Sequence, residues 1–549
     1  MIGVLRGNVE CAAIDEFFQL FKTPWEYYRA GMSYDVLVCC GVTSSGYSAD
    51  LIIVCGDERL SFDDENGIML RPQSTGFVCT DRGRLPVYGA RSTFAGSGIP
   101  VLHDETTSEP SGLIIASKGQ TYVRLGYDPF QEIRYLLTQG QPAVNATIPV
   151  VELHIDFLRD LIVSYCSYLV EIPPVPAGFT CTVCLTHDVD HVAIRNHKGD
   201  HSMFGFLYRA LIGSALIVCR GRRSLKYAAT NWLAVLSLPL VYLGLARDTW
   251  DRFERYLEIE KGLTSTFFFI PTKGDPGKDK EGGKPFKRAA AYDLSKLTPL
   301  LRRLLGEDRE IGLHGIDAWR DENKAQAELH RIKSATAATA IGVRMHWLFF
   351  GERSPAILDE AGFIYDSTVG YNDVIGYRAG TAQVYKFPGV DHLLELPLHV
   401  MDTALFFPAH MNLSLEEAEA ALAPLLENVN RFGGVLTVNW HDRSLAPERL
   451  WDGTYIGLIE ELKNRDAWFA TCMQAVSWFG QRRATSIAVT PQGGDTLCVA
   501  ISVPDCDRTL PAFRLRLHKG RKAGLAQAGV DRQYTDIPFD SSRELVVAV

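Results

Sequence analysis

Six short apolar runs constrain this chain more than any other feature, because five of them stop at a residue that can ligate a metal or move a proton. The first, 180–185, leads into Thr186-His187-Asp188-Val189-Asp190-His191, where two carboxylates stand one residue apart among histidines. Run 263–271 ends at a proline. Run 309–315 delivers His314, run 341–347 delivers Arg344 and His346, run 393–402 delivers Asp402, and run 435–442 delivers His441. β-branched and aromatic runs of this length read as buried strands. Between them, 248–261, 294–305, 325–337 and 415–432 carry the apolar spacing of helices. Strands that alternate with helices imply a parallel sheet with crossovers. Functional residues at successive strand C-termini are the arrangement of a β/α barrel.

Taken in order, these motifs resemble the NodB-type polysaccharide deacetylases, carbohydrate esterase family 4. Thr186 to Asp190 is similar to the family's first motif, usually Thr-Phe-Asp-Asp. Ser265-Thr266-Phe267-Phe268 is similar to its Ala-Thr-Phe-Phe strand. Glu310 to His314 resembles the start of its second motif, Arg344 the start of its third, and His441 its fifth. The resemblance covers residues 178–480 and implies a distorted β/α (NodB-like) barrel. The Asp-x-Asp form looks like the branch found among surface-polysaccharide biosynthesis genes.

The resemblance implies metal-dependent hydrolysis of an N-acetyl group on a sugar or glycan precursor. In that scheme Asp188 is the general base, Asp190 and His314 ligate the metal, and Arg344 orients and tunes Asp188. His441 is the general acid, with Asp402 as its partner. The metal is a divalent ion, zinc by expectation, with cobalt, nickel or manganese as alternatives. Such an ion acidifies water to a pKa of about 7 and polarises an acyl carbonyl. An amide also needs its leaving nitrogen protonated, so a base and an acid are both expected.

The chain departs from the family in the second motif, which places another histidine four residues after the first. Here that position is Ala318, which cannot ligate. Asp317 and His346 are the candidate replacements. His346 is preferred, because imidazole suits zinc-like ions and barrel strand ends converge. Two other readings stay open: a degenerate, glycan-binding or scaffolding relative, and a hydrolase of a non-sugar amide, since fold does not fix substrate. His187 and His191 are read as supports or as local polar groups, His197 and His201 as a polar loop near the mouth, and His399 and His410 as structural.

A chain of 549 residues holds several domains. Its formal charge of −9 argues against a nucleic-acid partner. The 12 cysteines show no repeated spacing, and the Cys181/Cys184 pair sits in a strand whose alternation sends the two thiols to opposite faces. Reduced thiols in a cytosolic protein fit best. The first ten residues lack the apolar core of a signal peptide. The expected location is therefore cytoplasmic, peripheral to the inner membrane at most, with a lipid-linked or nucleotide-linked precursor as substrate.

The expected organisation has three parts. Residues 1–170 form an N-terminal α/β domain with strands at 34–40 and 51–55 and helices at 130–137 and 151–170; the 40–46 loop is too loose for phosphate binding. Residues 171–480 form the barrel, entered through a stiff linker at 171–176. Residues 481–549 form a small antiparallel β domain with strands near 486–490, 497–503, 513–518 and 545–549. A helical insertion at 202–247 carries apolar runs at 204–219 and 232–246, joined by the basic stretch 220–226. Each run is shorter than the roughly 20 residues needed to span a bilayer. The insertion is read as a cap on the barrel, with a membrane dip as the alternative.

Overall fold

The computed structural model describes all residues except 8, 43–45, 81, 494–495, 505–506, 521–532 and 549. The middle of the 40–46 loop and the last residue of the 545–549 run thus lie outside the described residues. The chain divides into two compact units. One comprises Met1–Ala177, Ala379–Thr381 and Trp478–Val549; the other comprises Gly178–Arg378 and Ala382–Ser477.

The second unit carries all the motifs. Its sheet contains β1 (Thr182–Val189), β2 (Thr266–Phe269), β3 (Glu310–Gly315), β4 (Gly342–Met345), β5 (Tyr365–Asp366), β6 (Leu394–Glu395), β7 (Val400–Met401) and β8 (Val435–Asn439). They pair in the order β6-β5-β4-β3-β2-β1-β8-β7, with Trp468–Phe469 also on β1, and every pairing is parallel. The path ends at β6 and β7, which are neighbours in sequence but not in the sheet. The result is a mixed α/β unit with a curled, parallel half-barrel sheet.

β1 is buried at every position, as a strand covered on both faces must be. It runs further than 180–185 because Thr186 to Val189 find partners on β2. Asp188 therefore lies within the strand and Asp190 just past its end. Run 393–402 breaks into β6 and β7 with Pro397 between them, and Asp402 opens the short helix Asp402–Phe406. A proline has no N–H to offer a ladder. Gly342 is required where β4 meets β5: a Cβ there would lie 1.9 Å from the Tyr365 ring. Helix Leu415–Phe432 starts at a reciprocal cap between Ser414 and Glu417. The helix expected at 248–261 is shorter, Phe253–Ile259, and that at 325–337 starts earlier, Glu322–Thr336.

The insertion is a pair of helices. α1 spans His201–Cys219, with a π-helical turn at Arg209–Gly213, and α2 spans Leu225–Tyr242. α1 begins earlier than its apolar run because Asp200 caps it, accepting from the Ser202 and Met203 N–H groups. By length and composition α1 is long and apolar enough to cross a membrane, which the separate apolar runs did not show.

The first unit is built on a nine-stranded mixed sheet. Five parallel strands, Trp25–Tyr27, Ile2–Leu5, Val36–Cys40, Leu51–Cys55 and Gln120–Leu125, continue into four antiparallel ones, Pro110–Ser117, Ile99–Asp104, Gly76–Thr80 and Gly83–Val87. Helix Val150–Tyr165 stops short of residue 170 because Tyr168–Glu171 is a strand, paired with Phe513–Lys519. Glu171 is buried against Arg159 (2.9 Å) and His518 (2.8 Å), so the expected linker begins inside this unit. The strands after residue 481 form two three-stranded sheets, one of them through Tyr168–Glu171. The segment 481–549 accordingly belongs to the same unit as the N-terminal region rather than to one of its own.

Candidate metal centre

At the C-terminal edge of the half-barrel sheet, β1, β3 and β4 each deliver one ligand-type group. Asp190 follows β1, His314 is the penultimate residue of β3, and His346 follows β4. Their candidate ligand atoms lie within 4.8 Å of one another. Asp190 Oδ1 is 3.5 Å from His314 Nε2 and 3.4 Å from His346 Nε2. The His314 Nδ1 faces the Arg344 carbonyl at 3.0 Å, so Nδ1 is the donor there and Nε2 is the atom turned to Asp190. Burial pushes the His346 imidazole down to about 3, although Asp190 acts to raise it. Burial would raise the Asp190 carboxyl, but His346, His314 and His441 outweigh it and hold it well below the usual range.

Two atoms of this cluster are buried and have no hydrogen-bond partner: Asp190 Oδ1 and His346 Nδ1. A carboxylate oxygen that faces two imidazole nitrogens without a proper hydrogen bond is costly unless something else satisfies it. Two imidazoles and a carboxylate are the donor set of a divalent cation that keeps an open position. The residues present therefore fit the metal that the motifs imply. Ala318 is fully buried and offers no donor. Asp317 is turned elsewhere, its Oδ1 accepting the Lys278 N–H at 2.9 Å.

The loop that carries Asp190 is pinned from β8. Asp442 accepts the backbone N–H groups of Asp190 (3.4 Å), His191 (3.1 Å) and Val192 (2.8 Å). Val192 has φ 61°, a left-handed conformation that a β-branched residue adopts only when held. After His346, Trp347 and Leu348 also have positive φ. Strain therefore flanks two of the three candidate ligand positions, as it does where a site is over-determined by its surroundings.

Asp188 sits beside this cluster, with Oδ2 at 3.9 Å from His314 Nε2. Arg344 donates from Nη1 to Asp188 Oδ1 at 3.0 Å and to Thr186 Oγ1 at 2.7 Å. Asn439 donates to Asp188 Oδ2 at 2.8 Å and accepts the Asp188 N–H at 3.2 Å. Burial opposes ionisation of Asp188, but His314, Arg344 and His441 prevail and keep it below the usual carboxylate range. Arg344 is itself completely buried, gripped by the Ser367 carbonyl and hydroxyl and lying over the Phe268 ring.

His441 follows β8 on the other side of the site. Its Nδ1 meets Asp402 Oδ1 at 2.6 Å, and its N–H donates to Asp402 Oδ2 at 2.8 Å. Ser444 also donates to Asp402 Oδ2. Burial would lower the His441 imidazole, but Asp402, with Asp190 and Asp188, lifts it to about 9. At neutral pH this ring is an imidazolium with Nε2 free of the Asp402 clamp.

The remaining histidines have structural partners. His187 is bound between the Trp440 carbonyl (2.7 Å) and Glu260 (2.8 Å). His191, His197 and Asp200 form a chain at 3.2 and 2.7 Å, so His197 is a buried link rather than part of a solvated loop. His410 faces the Thr403 carbonyl, and His399 Nδ1 accepts the Thr437 N–H. Asn439 and Asp442 were missed as site residues. Their signal was their place in the run 435–442, two residues before His441 and one after it.

Neither family models nor curated protein sequences match the chain. Among solved structures it is similar to a protein from Mycobacterium smegmatis described as a polysaccharide deacetylase. That match has 19% identity over 59% of this chain and 100% of the other, with a TM-score of 0.36. It is also similar to a mutant of BA3943, described as a CE4 family pseudoenzyme with restored enzymatic activity. Here identity is 12% over 54% of this chain and 67% of the other, with a TM-score of 0.25. At these values the likeness assigns no activity to this chain.

Proposed function

We propose that this protein is a metal-dependent carbohydrate N-deacetylase, acting on an N-acetylated sugar or glycan precursor in surface-polysaccharide biosynthesis on the cytoplasmic side. One observation carries the reading: an Asp-His-His cluster, whose Asp190 Oδ1 is buried without a hydrogen-bond partner, shares the strand ends with an ionised carboxylate, Asp188, and a protonated imidazole, His441. Asp190, His314 and His346 would hold the cation. A divalent cation so held supplies Lewis acidity, which acidifies water and polarises an acyl carbonyl.

The chain's own residues account for the proton movements. Asp188 is kept anionic by Arg344 and Asn439, so it can take a proton from the water whose oxygen bonds to the acyl carbon. His441 gives its Nε2 proton to the sugar nitrogen as the C–N bond breaks, because an amide anion is too basic to leave. Asp402 fixes the ring and maintains its charge. The products are acetate and a free amino sugar.

The test is acetate release from a panel of N-acetylated amino sugars and oligosaccharides, before and after chelation and metal return. The reading expects release that chelation stops and metal restores, and that Asp188→Asn abolishes. Glycan binding without acetate release would favour the scaffold alternative. Release only from amides that lack a sugar would move the substrate class.

A further inference from the structure

The second unit displays a large apolar face beside the candidate metal centre. Of the 24 large hydrophobic residues exposed among the described residues, 12 fall between Phe204 and Leu245, on α1, α2 and their flanks. Leu225, Leu236 and Leu245 are each more than 70% exposed, and Trp232 is 47% exposed. Contiguous faces of this kind mark interaction sites. The opposite face is already used. Phe206 and Ala210 of α1 and Ala234, Leu238 and Val241 of α2 pack with Ile194, Trp250 and Ala446.

α2 is fastened to the unit along its length. Arg223 donates to the Leu450 carbonyl (3.3 Å), Tyr227 to Glu448 (2.8 Å), Asn231 to Pro447 (2.9 Å), and Tyr242 to His197 (2.8 Å). A helix bound on one side along its length, as α2 is, is not free to stand across a bilayer, and α1, which has the length to do so, shares the same packed cluster through Phe206 and Ala210. The pair can lie in the bilayer surface with its free side down.

Charge selects the occupant. Residues 201–247 contain six basic side chains and no acidic one, within a chain of formal charge −9. Arg220, Arg222 and Lys226 are exposed at the turn of the hairpin, and Arg247 is exposed at its open end. Cations at both ends of an apolar, aromatic-bearing face match an anionic lipid surface.

The same hairpin adjoins the site. It packs on Ile194 and His197, just past Asp190, and on 446–450, just past His441. The His201 ring stands 5.5 Å from Phe286, an exposed aromatic, and Arg288 donates to the His346 carbonyl at 2.9 Å.

We propose that α1 and α2 form an in-plane anchor on an anionic bilayer, and that the anchor sets the site against the sugar headgroup of a membrane lipid. The substrate half of this rests on the deacetylase reading; the docking half does not. The test uses the full chain with vesicles of phosphatidylcholine alone, or of equal parts phosphatidylcholine and phosphatidylglycerol. Sedimentation with the anionic vesicles is expected, along with quenching of Trp232 by brominated lipid that Trp232→Phe removes. Leu233→Glu with Leu236→Glu, and separately Arg220→Glu with Arg222→Glu, should each weaken binding about tenfold or more, with unchanged melting and metal content.

Equal binding by all variants, or no binding by any, overturns the docking. Self-association abolished by Leu236→Glu, without vesicle binding, would assign the face to a second copy instead. An N-acetylglucosaminyl lipid in the vesicles should be deacetylated at least about tenfold faster than its free headgroup, an advantage lost in the Leu233/Leu236 variant. An equal rate on both would overturn the substrate half, whereas absence of bound metal would sink only the deacetylase reading.

Discussion

Replacing Asp402 by asparagine should move the titration of His441 down toward neutrality. The rise of His441 from 6.5 to about 9 corresponds to about 3 kcal/mol in favour of the imidazolium. Asp402 is its main source, through a charge at 2.6 Å from Nδ1, while burial acts in the opposite sense. With a neutral amide in place of that carboxylate the largest contribution raising the ring is gone, and His441 should titrate well below the parent value. At pH 8 roughly 90% of His441 is protonated in the parent, and a fall of about two pH units would leave roughly 10% in the Asp402→Asn variant, about tenfold less of the acid form. The signs for stability follow from the same shifts. The raised His441 stabilises the fold fully below 6.5 and loses that contribution as pH rises through about 9. The lowered Asp402 loses its own as pH falls through its folded value. NMR titration of the labelled His441 ring reads this without a substrate, in metal-loaded and metal-free protein. The cation's charge should bring the parent value below 9 by offsetting Asp190. If His441 titrates at the same pH in the parent and in Asp402→Asn, the argument for a protonated general acid fails.

Three further outcomes are expected. His346→Ala should bind zinc at least about 100-fold more weakly by competition with a chelating dye, more than the loss of a supporting group costs, and adding Ala318→His should recover part of it. Asp442→Asn should weaken zinc about 10- to 100-fold by the same assay, because it loosens the three backbone N–H groups that fix the Asp190 loop. Arg344→Met should destabilise the metal-free protein by about 3–5 kcal/mol in urea, since it leaves Asp188 buried without its cation; a loss under about 1 kcal/mol would show the pair to be dispensable.

The half-barrel sheet was legible in the sequence because its strands are buried on both faces. β1, β2, β3, β4 and β8 each appear as an apolar run, and most side chains of interest sit at or just past the end of one. The grouping of Asp190, His314 and His346 was legible for the same reason, since each stands at or just past a strand end. Asn439 was hidden because an amide at a strand end looks like any polar stop, and only the fold puts it against Asp188. The two-residue strands β5, β6 and β7 were too short to show a period, and their contribution comes from pairing. In the first unit most strands were invisible: segments such as Met69–Gln73 and Gly83–Val87 are short, half-exposed and contain proline or glycine. The run into residue 170 read as one helix because Tyr168-Leu169-Val170 continues the apolar pattern, and only a distant partner, Phe513–Lys519, makes it a strand.

The central claim is that Asp190, His314 and His346 hold a divalent cation while Asp188 does not. Elemental analysis of the purified protein beside Asp190→Ala and Asp188→Asn tests it most directly. The account predicts about one divalent ion per chain in the parent and in Asp188→Asn, and little or none in Asp190→Ala. Equal occupancy in the two variants, or a parent that takes up no ion when zinc is supplied, would contradict it.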